Sequence, residues 1–144
     1  MKALMILLLL VTVSMAREKH FVVKRSHYSV DETMKRFKEA LKNNGFKIFT
    51  TIDHKANAKK AGLKMHAQKV LIFGNPKGGT KLMNSNPKIG IELPLKAAFY
   101  KDKGKVMMIY KNPSYYERTF GLKNHPVIRK LKKVLNDMSN EAIN

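Results

Sequence analysis

Asp53 and His54 stand side by side, and about twenty residues later comes Gly74-Asn75-Pro76-Lys77-Gly78-Gly79-Thr80-Lys81, with Met83 just behind it. Carboxylate, imidazole, hydroxyl, amide and ammonium groups in so short a span are what a polar ligand site would use. Adjacent residues in extended chain point their side chains apart, so Asp53 and His54 cannot form a dyad with each other, and each needs a partner elsewhere. Asp53 also has the right type and place to cap a following helical turn, and His54 can serve as a hydrogen-bonded structural imidazole. No His-x-x-x-His or Ser-His-Asp pattern supports hydrolysis. The 74–81 stretch invites comparison with a phosphate-binding loop, because Gly74 and Gly79 frame it. Its order is wrong for that, since Thr80 precedes Lys81 where a P-loop has Lys and then Ser or Thr. Pro76 also removes one backbone donor from any cradle. A copper site would draw on His54, Met65, His66 and Met83, whose imidazole and thioether groups suit that metal, although the flexible apolar methionine is more often packing material.

Charge sets the choice of partner. Between His54 and Ile91 there are eight lysines and no acidic residue. Lys77 and Lys81 fall inside the glycine-rich stretch, so a loop from Gly74 folded over the Asp53-His54 turn would favour a small anion or an acidic polymer. The chain as a whole carries 29 Lys and Arg against 10 Asp and Glu, a formal charge of +19. Arg is scarce, and specific readers of phosphate and bases lean on the Arg fork, so nucleic acid is the less favoured partner. With no cysteine in 144 residues, thiol redox chemistry and cysteine-ligated zinc are excluded.

The site needs elements to hold it. Residues 1–16, MKALMILLLLVTVSMA, have a lysine at the start, an apolar run from Ala3 to Val13 and a small-residue exit at Ser14 and Ala16. That is the form of a secretory signal peptide cleaved after Ala16, and the run falls short of the ~20 apolar residues a spanning helix needs. A secreted or periplasmic protein beginning at Arg17 is expected, with no transmembrane segment once the leader is gone. Residues 17–144 are then one domain's worth of chain, without repeats or long linkers.

Within that domain, His20 to Arg25 reads as a strand, and Ser29-x-x-Glu32 has the form of a capping box. Val30, Met34, Phe37 and Leu41 recur at helical spacing until Gly45. Strands are expected over 46–52, 69–73, 95–101 and 105–111, the last two joined at Asp102-Lys103-Gly104. A short helical or irregular piece is expected over 55–61, a structured loop over 74–94 with its three prolines and four glycines, in which 80–84 could form a helical turn, and a basic helix over 126–139. Strand, helix, four strands, helix makes an α+β two-layer sandwich, with helices on one face of a mostly antiparallel sheet.

Ile52-Asp53-His54, Ala58, Ala61-Gly62, Phe73-Gly74-Asn75-Pro76, Gly79-Thr80, Met83, Leu93-Pro94-Leu95, Tyr110 and Asn112-Pro113 together resemble the domain-of-unknown-function 302 family across roughly residues 26–122. The resemblance implies a TATA-binding-protein-like β-α-β4-α arrangement, which agrees with the order read above, and says little about activity. The family's usual Pro after the Gly-Leu segment is missing around Met65 to Ala67, and Lys is unusually abundant here. The functional expectation is an exported, non-enzymatic binding module for a small anionic ligand. Its site would combine Asp53, His54, Asn75, Gly79, Thr80 and Met83, with Lys77 and Lys81 tuning charge. No catalytic or metal-ligating residue is assigned. Other readings are an enzyme of unrecognised class, an electrostatic binder of anionic surfaces or nucleic acid, and a copper protein; a homodimer is compatible with each.

Export gives the first test. Mass analysis of the protein recovered outside the cytoplasm should find Arg17 at the N-terminus, whereas an intact Met1 on membrane-bound material would make the leader an anchor.

Overall fold

Alternation along the strands decides which face of the sheet is covered. The computed structural model describes residues 20–144, and the expected leader lies outside the described residues. Strands β1 (Phe21–Ser26), β2 (Lys47–Asp53), β3 (Gln68–Gly74), β4 (Leu95–Asp102) and β5 (Lys105–Lys111) form one sheet in the order β1-β5-β4-β3-β2. Every neighbouring pair is antiparallel. On β4, Leu95, Ala97 and Phe99 are buried while Lys96 between them is exposed, the period of two that puts alternate side chains on opposite faces. The opposite face carries Val23, Ile109, Ala98, Val70 and Ile52 in one row of paired positions, half-buried or exposed.

The helices are α1 (Val30–Asn43), α2 (His54–Lys60), α3 (Pro76–Ser85), α4 (Ser114–Thr119) and α5 (Pro126–Ile143), with a 3-10 turn over Pro87–Glu92. Helix α1 starts where its cap signal stands: Ser29 Oγ accepts from the Glu32 N–H at 3.1 Å, and Asp31 and Glu32 favour the positive end of the helix dipole. It stops before Gly45, whose φ of +75° suits glycine. Its buried residues, Val30, Thr33, Met34, Phe37, Ala40 and Leu41, form one stripe on the sheet. Phe37 meets Phe73 of β3 edge-on at 5.5 Å between ring centroids and Phe99 of β4 at 5.8 Å.

Helix α5 adds Ile128, Leu131, Leu135, Met138 and Ala142 to the same core, and polar clasps set its position. Lys24 of β1 donates to Ser139 Oγ at 2.6 Å, Asn140 Oδ1 at 2.7 Å and Asn136 Oδ1 at 3.0 Å. Partial burial pulls its pKa below the ordinary lysine range. Arg36 of α1 donates to the carbonyls of Glu141 at 2.9 Å and Asn144 at 2.7 Å, placing a cation at the negative end of α5.

The β4–β5 hairpin turns at Lys103 and Gly104, both at positive φ (+48° and +77°), as a tight two-residue connection requires. Three expectations need correction. The 74–94 stretch is a ten-residue helix followed by the 3-10 turn, because Asn75 Oδ1 accepts from the Gly78 N–H at 3.2 Å and Pro76 takes the first helical position, where its missing N–H costs nothing. Helix α4 was not anticipated, and α5 continues to Ile143 beyond the expected end at 139. The strand–helix–four strands–helix order is therefore interrupted by short helices, while the α+β class and the helical cover of one sheet face stand.

If Phe37 is the joint between helix and sheet, Phe37→Ala should cost about 3–5 kcal/mol by urea unfolding, the usual loss for a truncated core aromatic. Val23→Thr, at a position 50% exposed, should stay within about 0.5 kcal/mol. Equal losses would place the core elsewhere.

Candidate functional site

The eight residues proposed from sequence divide into two groups. Asn75, Lys77, Gly79, Thr80, Lys81 and Met83 line one groove of about 660 Å³. Asp53 and His54 stand at the other end of the β2–β3 pair, since Lys47 faces Gly74 and Asp53 faces Lys69. Six residues of strand separate the ends by about 20 Å. The Gly74 segment therefore does not fold over the Asp53-His54 turn, and the two halves of the expected site are distinct. The copper set is split in the same way, with Met83 in the groove and His54, Met65 and His66 near the opposite end.

At that opposite end the architecture uses Asp53. Its Oδ1 accepts from the Ala56 N–H at 2.9 Å, capping α2, and Lys69 Nζ lies 3.5 Å from Oδ2 while pairing with Asp31 at 2.7 Å. The Ala56 hydrogen bond first, and then Lys69, hold the Asp53 carboxyl below the ordinary carboxylate range; Lys69 is raised, chiefly by its hydrogen bond to Asp31. His54, read as a site residue with a hydrogen-bonded structural imidazole as the alternative, makes no side-chain hydrogen bond among the described residues.

A depressed folded-state pKa gives stability that is present above the ordinary carboxylate range and is lost as pH falls through the lowered value. Asp53→Asn keeps a good capping group and removes only the charge. Melting temperatures followed from neutral to strongly acid pH should therefore differ between wild type and Asp53→Asn at neutral pH and converge in acid. A constant difference at every pH would deny Asp53 its part in the acid limb.

The groove is made by close approach. A Cβ added to Gly78 would lie 3.4 Å from Val127 Cγ1 of α5, and one on Gly79 would lie 3.8 Å from Leu93 Cδ1, ordinary packing distances that place α3 beside both neighbours. A Cβ on Gly74 would meet the Phe49 ring at 3.3 Å, where β2 is irregular between Ile48 and Thr50. His125 joins two walls: Nδ1 accepts from the Val127 N–H at 3.2 Å and caps α5, while Nε2 lies 3.1 Å from Ser85 Oγ at the end of α3. Because Nδ1 accepts, the proton belongs on Nε2, which donates to Ser85. The walls themselves are apolar: Phe46, Phe49, Leu82, Leu93, Leu95, Val127, Leu131 and Val134.

Charge occupies the lining unevenly. Lys77 and Lys81 stand one turn apart on α3, and Lys130 is on α5. No Asp, Glu or His lines the groove, and among the described residues none of these three ammonium groups has a carboxylate partner. Lys69, Lys111 and Lys132, by contrast, are paired with Asp31, Glu92 and Glu117 at 2.7–2.8 Å. The start of α3 does not form a phosphate cradle, because Pro76 has no N–H and the Gly78 N–H is already bound by Asn75. Thr80 is exposed and supplies a hydroxyl to the lining. This arrangement sets three ammonium groups beside apolar walls, the chemistry an anion with an apolar body would meet.

Sequence reasoning missed Phe46, Phe49, Leu93, Lys130 and the α5 residues as parts of a site. The spacing of Val127, Lys130, Leu131 and Val134 was a usable signal, since it puts a cation on the edge of an apolar stripe.

Among the described residues no helix is long and apolar enough to cross a membrane. The chain is 38% identical over 102 residues to proteins named "Fluoride-specific ion channel FluC 1" in Brucella suis biovar 1 and Brucella abortus biovar 1. The match takes in 70% of this chain and 40% and 38% of those proteins, so the chain spans about two-fifths of the curated relatives it matches. In fold it is similar to a crystal structure of an "uncharacterized conserved protein DUF302" from Bacillus stearothermophilus, with a TM-score of 0.74, 21% identity, and coverage of 85% of this chain and 98% of that one. The family model described as "Domain of unknown function DUF302" matches residues 22–138, which takes in the whole sheet, the groove and most of α5. With that model matched over most of its length, the chain belongs to the DUF302 family.

Proposed function

We propose that this protein is an exported, non-enzymatic binding module for a small anionic ligand, held in the groove between α3, α5 and the adjoining ends of β2, β3 and β4. The observation that carries the reading is the combination of apolar walls with Lys77, Lys81 and Lys130, all three without carboxylate partners among the described residues. Water-excluding walls strengthen an ammonium–anion contact relative to the open surface, and they favour an anion with an apolar body over a fully hydrated one. The relatives are named for fluoride, also a small anion, but these walls match an amphipathic ligand better. A volume of about 660 Å³ lies in the usual range for small-molecule sites. Export, read from the leader, is part of the same proposal.

An amphipathic anionic dye, 8-anilinonaphthalene-1-sulfonate, probes the reading directly. The folded protein should bind it saturably, and Lys81→Gln with Lys130→Gln should weaken it at least tenfold, the effect of removing a charge-assisted contact. Lys59→Gln with Lys60→Gln on α2 removes the same charge far from the groove and should leave affinity nearly unchanged. Equal weakening by both pairs would replace a located site with general surface attraction.

A further inference from the structure

We infer that the groove takes the unbranched acyl chain of a medium-length carboxylate, with the carboxylate against the groove lysines and the chain along the apolar lining. This rests on the anion-binding reading above and narrows it to a ligand class. Three observations converge. The apolar lining comes mostly from flexible aliphatic side chains, Leu82, Met83, Leu93, Leu131 and Val134 among them, so it suits a pliant chain better than a rigid polar ring. Thr80 and the three lysines supply the polar contacts that the lining offers without competition from its own carboxylates. Finally, the α5 residues that line the groove run from Val127 to Val134, a span of eight residues or about 10 Å of helix. With C–C bonds of ~1.5 Å, an extended chain fills such a length with about eight carbons.

A homologous series reads the inference out. The protein, purified as the cell produces it, is titrated calorimetrically with butanoate, hexanoate, octanoate, decanoate and dodecanoate, each below its micelle concentration and at one ionic strength. Affinity should rise about fourfold per methylene, the gain of burying one CH₂, and level off near octanoate to decanoate. Octan-1-ol should bind more weakly than octanoate, and Lys81→Gln with Lys130→Gln should remove most of that difference. Val134→Phe, which shortens the groove, should move the plateau to shorter acids. Phosphatidylglycerol vesicles distinguish the two sources of such a chain. If vesicles compete with octanoate and Val134→Phe abolishes the competition, the chain comes from lipid; if they do not compete, the free acid is the ligand. A flat series in protein that still binds the sulfonate dye overturns the acyl assignment and leaves the anion site standing, whereas loss of both overturns the anion site as well.

Discussion

Phe37 holds the two layers together. Its ring is fully buried between Phe73 of β3 and Phe99 of β4, and Phe73 in turn meets Phe46 edge-on at 6.0 Å. An aromatic row thus runs from the middle of the sheet to Phe46, which is also a wall of the groove. Edge-to-face pairs have preferred geometry as well as buried area, so fixing Phe37 fixes the ends of β2 and β3 that α3 must follow. The groove is where this core reaches the surface: helix α5 continues past the end of the sheet, and α3 closes the gap from the side.

That closure is held at the two ends of α3. Gly78 and Gly79 are poor choices for helix stability, since glycine costs about 0.5–1 kcal/mol relative to alanine inside a helix. The start of the helix is capped by Asn75, and its end is secured by the His125–Ser85 contact. A helix with only Leu82 fully buried is held by its cap and its neighbours more than by its own core face.

These facts explain what could be read from the chain beforehand. Elements that carry their own signal were legible: the Ser29 cap, the stripe from Val30 to Leu41, the Gly45 stop and the Asp102–Gly104 hairpin all rest on contacts within a few residues of each other. The Asp53 cap was legible for the same reason. The misreading of 74–94 came from counting prolines and glycines as breakers when their positions mattered more. Asn75-Pro76 is a start signal, with a capping side chain followed by the residue that tolerates the first helical position. The site itself was half legible. Six of its residues lie on one helix and its cap and so are neighbours in sequence, but Phe49, Leu93 and the α5 pair Lys130 and Val134 arrive from three other segments, and no local pattern announces that meeting. Asp53 and His54 were drawn into the set by closeness in sequence, which β3 converts into distance.

The excess of lysine carries less information than its pairing. A charge of +19 creates a field that any polyanion feels, but exposed ammonium groups are screened over about 8 Å at physiological ionic strength. What distinguishes Lys77, Lys81 and Lys130 is their surroundings. Lys69, Lys111 and Lys132 have their carboxylates beside them, and Lys24 is held by a hydroxyl and two amide oxygens, so these four serve the architecture. The groove lysines are exposed but border apolar walls, so on the proposed reading an anion with an apolar body would bury surface there that the rest of the lysine-rich exterior does not offer. Raising salt should therefore strip polyanions from the general surface sooner than it empties the groove, because burial of the ligand's apolar body does not weaken as the field is screened. On the proposed reading, selectivity would come from shape and hydrophobic length, while the lysines would add affinity at the ligand's charged end and set its orientation.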